Sequence, residues 1–212
     1  MKLGLFFLKL NSSLSYRSII YFYTICYYVF NMTAFGIKVE DAEASNFASL
    51  LLPPENAIDN DLKTWFQSDI VDNNMVSEFL WLQIELESYS VVERVHVTFG
   101  DKPERESNVE VRVGNSKIDP SSTFEQQNKT IFKNPICDVY PNAVEKLERI
   151  EMVCEKRLMG THVSVQVLDK TAQIMQIAEI VVYGKSKDLF YLYSFMSNLH
   201  LIFHRFFKQS HI

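Results

Sequence analysis

The stretch Glu55–Phe66, ENAIDNDLKTWF, sets Asn56, Asp59, Asn60 and Asp61 within six residues, just after Pro53 and Pro54 and just ahead of Trp65 and Phe66. Two chemistries use those residue types at that spacing. Asn and Asp side chains cap turns by accepting backbone N–H groups two residues on, which makes a polar turn. Side-chain and carbonyl oxygens crowded into a tight turn also form the shell that calcium takes, with six to eight oxygen ligands at flexible angles. Zinc would call for His or Cys, and the stretch has neither. From spacing alone the polar turn is the simpler reading, and the cation needs oxygen donors from elsewhere in the chain.

The remaining reactive side chains point away from catalysis. There is no Gly-rich phosphate loop, no Gly-x-Ser-x-Gly and no His-Glu-x-x-His, so the common nucleotide, serine-hydrolase and zinc-protease signatures are missing. No pair of acids stands at a position that sequence can identify as glycosidase-like. His96 and His162 fall on the faces opposite the apolar residues of their runs and are expected as exposed sheet histidines. The chain is expected to be a binding module and not an enzyme.

Charge narrows the partners. Residues 1–36 and 185–212 each carry +3 against a total of −5, which leaves −11 on residues 37–184. An acidic middle argues against nucleic acid, whose backbone requires a basic footprint. It agrees with a neutral ligand or a divalent cation. Residues 1–36 combine a basic start, an apolar run from Ile19 to Phe30 and small residues at Thr33, Ala34 and Gly36. That pattern predicts a cleaved signal peptide, with a membrane anchor as the alternative. The protein is therefore expected to be secreted or held on the extracellular face of the membrane. Residues 185–212 form an aromatic tail interrupted by Asn198, His200, His204 and Arg205, and no function is assigned to it. Outside the leader, Cys137 and Cys154 make an even pair that secretion would allow to bridge; two buried free thiols are the alternative. Asn128-Lys-Thr130 reads as a glycosylation acceptor in a polar loop.

The elements that must position these groups are strands. Leu80, Leu82, Ile84 and Leu86 alternate with Trp81, Gln83 and Glu85, and Val95, Val97 and Phe99 continue the pattern. Val109, Val111 and Val113, then Arg149–Cys154, His162–Val167 and Ile177–Tyr183, repeat it. Period-two runs broken by Gly, Pro, Asn and Asp predict antiparallel sheet with one buried face. No long helical pattern intervenes, so an all-β sandwich follows. The polar segments 37–79 and 114–147 are expected as long loops, where binding tends to sit. Trp65 and Trp81 are expected as packing anchors, Trp81 with the option of stacking on a sugar.

The order of the pieces resembles a discoidin-type, galactose-binding-like domain, and within that superfamily the fucolectins (F-type lectins). The resemblance spans residues 40–184. It rests on Ala44-Ser45, Asn56-Ala-Ile-Asp59, Thr64-Trp65, Leu80–Leu86, Asn108–Ser116, the Cys137 and Cys154 pair, Gly160-Thr-His-Val163 and the closing Ala178-Glu-Ile-Val-Val-Tyr-Gly184. It implies an eight-stranded jelly-roll sandwich. It also implies a structural calcium held by Asn56, Asp59, Asp61, Ser68, Ala178 and Glu179. Asp59 and Glu179 would offer carboxylate oxygens, Ser68 a carbonyl or hydroxyl oxygen, and Asn56, Asp61 and Ala178 backbone carbonyls. Three departures bear on that site. Asp61 stands where the family often has Asn and would add negative charge near the cation. Asn60 stands where the family usually has Gly, and Asn tolerates the left-handed backbone better than most residues. Ala178 replaces a usual Cys, to which a carbonyl ligand is indifferent.

The family's sugar signature is broken. It reads fucose with an early-loop His and with Arg-x-Asp followed, four residues on, by Arg or Lys. Here Phe99 occupies the first Arg position, Asp101 is kept, Arg105 arrives one residue early, and Asp69–Met75 contains no His. Phe has no hydrogen-bond donor to replace an Arg, and its phase with Val95 and Val97 predicts a core position. Asp101, Lys102 and Arg105 remain candidates for ligand contact, against a simple solvated turn. Two functions follow from the resemblance. One is a lectin-like module for glycans, fucosylated or of altered specificity. The other is a discoidin-like adhesion module that binds protein or membrane lipid through the same loops, sugar binding having been lost.

Overall fold

The computed structural model describes residues 35–45, 50–69, 80–101, 106–169 and 174–186. Residues 1–34 of the leader, residues 187–212 of the tail, Ile70–Met75 and the candidate residues Lys102 and Arg105 lie outside the described residues. Period-two runs of Leu, Val and Ile become antiparallel strands here: β1 (Phe35–Gly36), β2 (Val39–Ala44), β3 (Phe66–Gln67), β4 (Leu80–Phe99), β5 (Val109–Gly114), β6 (Ile136–Tyr140), β7 (Arg149–Val167) and β8 (Gln176–Ser186). A 3-10 turn, Pro54–Ala57, precedes β3, and a helix, α1 (Phe124–Ile131), lies between β5 and β6.

Two strands build both layers of the sandwich. β4 is 20 residues long and β7 is 19, so the runs read as separate strands in the sequence are continuous. Their shared ladder is interrupted between Glu85 and Ser90 and again between Val92 and Arg94. The first half of β4 pairs with β2 and with the second half of β7, which in turn pairs with β5. The second half of β4 pairs with the first half of β7 and with β8. β6 extends the first layer beyond β5, and β1 and β3 lie along β8 in the second. Gly160 sits opposite Ser90 at the bend. A Cβ built on it would collide with the backbone of Gly114, a close approach that only glycine permits.

Between the layers, Leu82, Ile84, Val95, Val97, Phe99, Val111, Val163, Val165, Ile177 and Val182 are fully buried in one core. Each such side chain contributes about 1.5–3 kcal/mol when removed from water. Phe99 is among them, so the position where the fucolectins carry Arg is a core position here. The expected eight-stranded, all-β jelly roll is the observed architecture. The expected bridge is also present, with Cys137 bonded to Cys154 and β6 thereby tied to β7.

Several expectations fail for physical reasons. Segment 37–79 was expected as loop, but Val39–Ala44 is a strand that pairs with β4. Segment 114–147 contains α1, whose Thr123 and Gln126 form a reciprocal capping box. The glycosylation triplet Asn128–Thr130 is therefore on a helix, not in a loop. The outer face of the first layer is also covered rather than solvated. Gln83 is buried there, and Trp81, expected as a packing anchor, does pack, with Ile118 and Ile131 apart from the main core. Its indole N–H donates to Gln127 Oε1 at 3.1 Å, and Gln83 Oε1 accepts from the Ile118 N–H at 2.8 Å. His162, expected exposed, is buried beside Glu85 and Lys117. Burial first, reinforced by Lys117 and opposed by Glu85 and Glu43, holds its imidazole below the ordinary range.

Candidate functional site

The turn after the 3-10 segment is built by its own side chains. Asp59 Oδ1 accepts from the Asp61 N–H at 2.8 Å and Asp61 Oδ1 from the Lys63 N–H at 3.0 Å, two successive i to i+2 caps. The Thr64 hydroxyl reaches both Asp59 Oδ2 (2.7 Å) and the Asp61 carbonyl (2.8 Å), which also accepts from the Thr64 N–H at 3.1 Å. Asn56 turns its amide inward and donates to the carbonyls of Leu51 (3.3 Å) and Trp65 (3.0 Å). Asn60 adopts φ 63°, the left-handed conformation that the family's glycine would take. A capped polar turn thus accounts for Asn56, Asp59, Asp61 and Thr64.

It does not account for Glu179. The register of β8 against β4 runs Thr98 to Glu179 and then Phe99 to Ile177, so Ala178 is left over as a bulge. Bulges re-aim side chains. This one lets Ile177 stay in the core while Glu179 turns toward the polar turn. Glu179 is 7% exposed, and its Oε2 has no hydrogen-bond partner among the described residues. Burial, with Asp59 adding repulsion, pushes its carboxyl up to about 7, although the Asn60 and Ile180 N–H groups donate to it. Glu179 thus keeps one unpartnered carboxylate oxygen within the electrostatic reach of Asp59, and a positive charge placed there would offset both.

Of the residues that the resemblance implies as ligands, Glu179 lies next to the bulged Ala178 and within the electrostatic reach of Asp59. Ser68 is fully buried and hydrogen-bonds through its backbone N–H to the Met175 carbonyl at 2.9 Å. Its hydroxyl is committed to the Met175 N–H (2.8 Å) and the Asp69 carbonyl (3.2 Å), so the hydroxyl is taken up within this end of the sandwich. The Asp61 carbonyl is engaged by Thr64 and would have to share. No cluster of three or more His, Cys, Asp or Glu side chains occurs among the described residues, so a cation held here would take two carboxylates plus backbone oxygens, a set suited to calcium.

Beside this turn lies a second polar cluster, which pattern reading missed. Glu106 is fully buried and its Oε1 accepts from the Gln176 N–H at 2.9 Å. The Gln176 amide donates to Gln67 Oε1 at 2.7 Å, and Ser107 donates to Asp169 Oδ2 at 2.5 Å. Described residues of four segments, Gln67–Asp69, Gly100–Asp101 with Glu106–Asn108, Leu168–Asp169 and Met175–Gln176, therefore meet at one end of the sandwich. Asp101 belongs to this end, where Lys146 pairs with it. The one signal for Glu106 is its position shortly before the valines of β5, and nothing in that position announces burial.

No protein-family model matches the chain, and no curated protein matches it by sequence. Solved structures do share its fold. The fucolectin from striped bass (Morone saxatilis) serum is 21% identical over 68% of this chain, with a TM-score of 0.54. The match spans 46% of that chain, so this protein covers under half the length of that lectin. The CBM32 module of AlyQ, solved with 4,5-unsaturated mannuronic acid, is 14% identical over 70% of this chain and 97% of its own, with a TM-score of 0.50. Chitosan-binding module 1 of a Paenibacillus sp. IK-5 chitosanase/glucanase is 18% identical over 68% and 95%, also with a TM-score of 0.50. The chain has the galactose-binding-like jelly-roll fold that these proteins share.

Proposed function

We propose that the protein is an extracellular, non-enzymatic carbohydrate-binding module of fucolectin type, with a structural calcium and altered sugar specificity. The observation that carries the cation is the buried, unpaired Glu179 Oε2 facing Asp59. When bound, calcium would neutralise these two carboxylates and tie the early turn to β8. Asp59 and Glu179 would hold it, with carbonyls from Asn56, Asp61, Ser68 and Ala178. The sugar would be taken at the adjacent loop end around Asp101–Arg105 and Asp69–Met75. Fold likeness to two carbohydrate-binding modules and a lectin supports a glycan partner, although fold alone does not dictate function. The core position of Phe99 argues against the family's own fucose triad. The disulfide between Cys137 and Cys154 suits an oxidising compartment. Among the described residues no helix is long and apolar enough to cross a membrane.

A second reading has its own observation. Leu50, Leu51 and Leu62 are 87%, 85% and 58% exposed around the same turn, a feature that favours a protein- or lipid-binding adhesion module. A glycan microarray probed with the full chain separates the two. Calcium-dependent signal on a defined set of glycans, lost with chelator, supports the lectin-like reading. A blank array together with calcium-dependent binding to lipid vesicles overturns it.

A further inference from the structure

The outer face of the second layer carries a cluster that neither the cation turn nor the loop end uses. β4 contributes Arg94 and His96, β7 contributes Arg149 and Glu151, and β8 contributes Tyr183, all on one exposed face because Arg94 pairs with Val153 and Tyr183, and His96 with Glu151 and Val181. Arg94 donates to Glu151 at 3.1 Å and lies over the Tyr183 ring, 4.8 Å from its centroid. His96 packs against the same ring at 4.7 Å. Arg149 Nη2 contacts His96 Nδ1 and reaches the Tyr183 hydroxyl at 3.3 Å. A guanidinium can only donate, so Arg149 brings its donors to the Nδ1 side of His96, whose Nε2 faces Glu151 at 3.3 Å.

The unusual member is Arg149. Among the described residues it forms no ion pair with a carboxylate, and the His96 ring and the Tyr183 hydroxyl fix its position through one nitrogen. Its Nε and Nη1 have no partner among the described residues, and its side chain is exposed. Arg94, whose Nε also lacks a partner, shares the single carboxylate of the cluster with His96. Two guanidiniums and one carboxylate leave an excess positive charge in a chain segment that is otherwise strongly acidic. Planar donors held in place beside an aromatic ring suit a planar or tetrahedral oxyanion. We propose that Arg149, Arg94, His96 and Tyr183 form an oxyanion-binding site that takes a carboxylate or sulfate group, of the kind an acidic sugar carries. The site uses none of the residues of the loop end, so it stands independently of the glycan reading given above.

The test is titration of the full chain at constant ionic strength with sodium glucuronate, inorganic sulfate and, as the neutral ring control, glucose. Saturable binding of glucuronate or sulfate is expected, weakened roughly ten- to hundredfold in Arg149→Gln, as loss of charged hydrogen bonds implies. Arg94→Gln should weaken it too and serves if the first variant does not fold. Binding of glucuronate without sulfate assigns an acidic sugar, and binding of sulfate without glucuronate assigns a sulfate group or the free ion; both uphold the site. No saturable binding of either probe, glucose binding as well as glucuronate, or a folded Arg149→Gln that binds like the parent overturns it.

Discussion

Replacing Glu179 with Gln should stabilise the protein in chelator while removing its response to calcium. The carboxyl sits at about 7 in the folded chain against an ordinary 4.5. Between those values the folded state holds a proton that the unfolded state has lost, so stability falls as pH rises through the window, and the whole cost is present above pH 7. The gap corresponds to about 3 kcal/mol. For a domain of this size, that is a rise in melting temperature of roughly 6–12 °C at most when the charge is removed. Gln keeps an oxygen for the Asn60 and Ile180 N–H groups and turns an amide toward Asp59, so the neutral variant fits. Calcium at about a hundred times its dissociation constant would add roughly 2.7 kcal/mol to the parent and nothing to the variant. The assay is thermal melting by circular dichroism at about pH 5 and about pH 8, in chelator and in calcium, with the two proteins compared at each pH. The comparison cancels His162, whose lowered value makes both proteins lose stability as pH falls below 6.5. If Glu179→Gln melts below its parent at high pH in chelator, or still shifts with calcium, the reasoning about this carboxylate is wrong.

Other consequences can be measured directly. Phe99→Arg restores the residue that fucolectins carry, but it buries a guanidinium in the core; it should cost several kcal/mol, and a folded variant that binds fucose would contradict the placement of Phe99. Opening the Cys137–Cys154 bridge, whose loop spans 17 residues, should cost about 3 kcal/mol, seen as a lower denaturant midpoint under reduction; an unchanged midpoint refutes it. Gln127→Ala removes the acceptor of the buried Trp81 indole and should cost about 1–3 kcal/mol, with a red shift of tryptophan emission as α1 loosens. Unaltered emission and stability would show that α1 does not seal that face.

What could be read from the chain depended on how local the signal was. The inward residues of β4, β5, β7 and β8 declare themselves by alternation, and Phe99 was placed in the core by its phase with Val95 and Val97. The left-handed conformation of Asn60 was implied by the resemblance, in which a Gly usually stands at its place, and Asn is a residue type that tolerates it. β2 was missed because VEDAEA is acidic and poor in β-formers. Only its pairing with β4 and the burial of Ala42 and Ala44 make it a strand. α1 did leave a signal, the Thr123 and Gln126 capping box, but its eight residues are too few for a periodic pattern. Trp81 was expected as a packing anchor from its residue type, but the burial of Gln83 and His162 depends on α1 and the chain leading into it, including Lys117, folding over the sheet, a tertiary event without local trace. Asp59 and Glu179, or His96, Arg149 and Tyr183, meet only through strand pairing between distant segments. The family resemblance supplied the first meeting in advance, and nothing supplied the second.

The central claim is that sugar is bound at the end of the sandwich where Gln67, Gly100–Asp101, Glu106–Asn108 and Met175–Gln176 converge beside a calcium-braced turn. The most direct measurement is a two-dimensional amide NMR titration of the calcium-loaded, isotope-labelled chain with the strongest hit from the glycan array. The account predicts saturable shifts gathered at Gly100, Asp101, Glu106–Asn108 and Gln176, which disappear when calcium is withdrawn. Shifts gathered instead on another face, or a response indifferent to calcium, would contradict it.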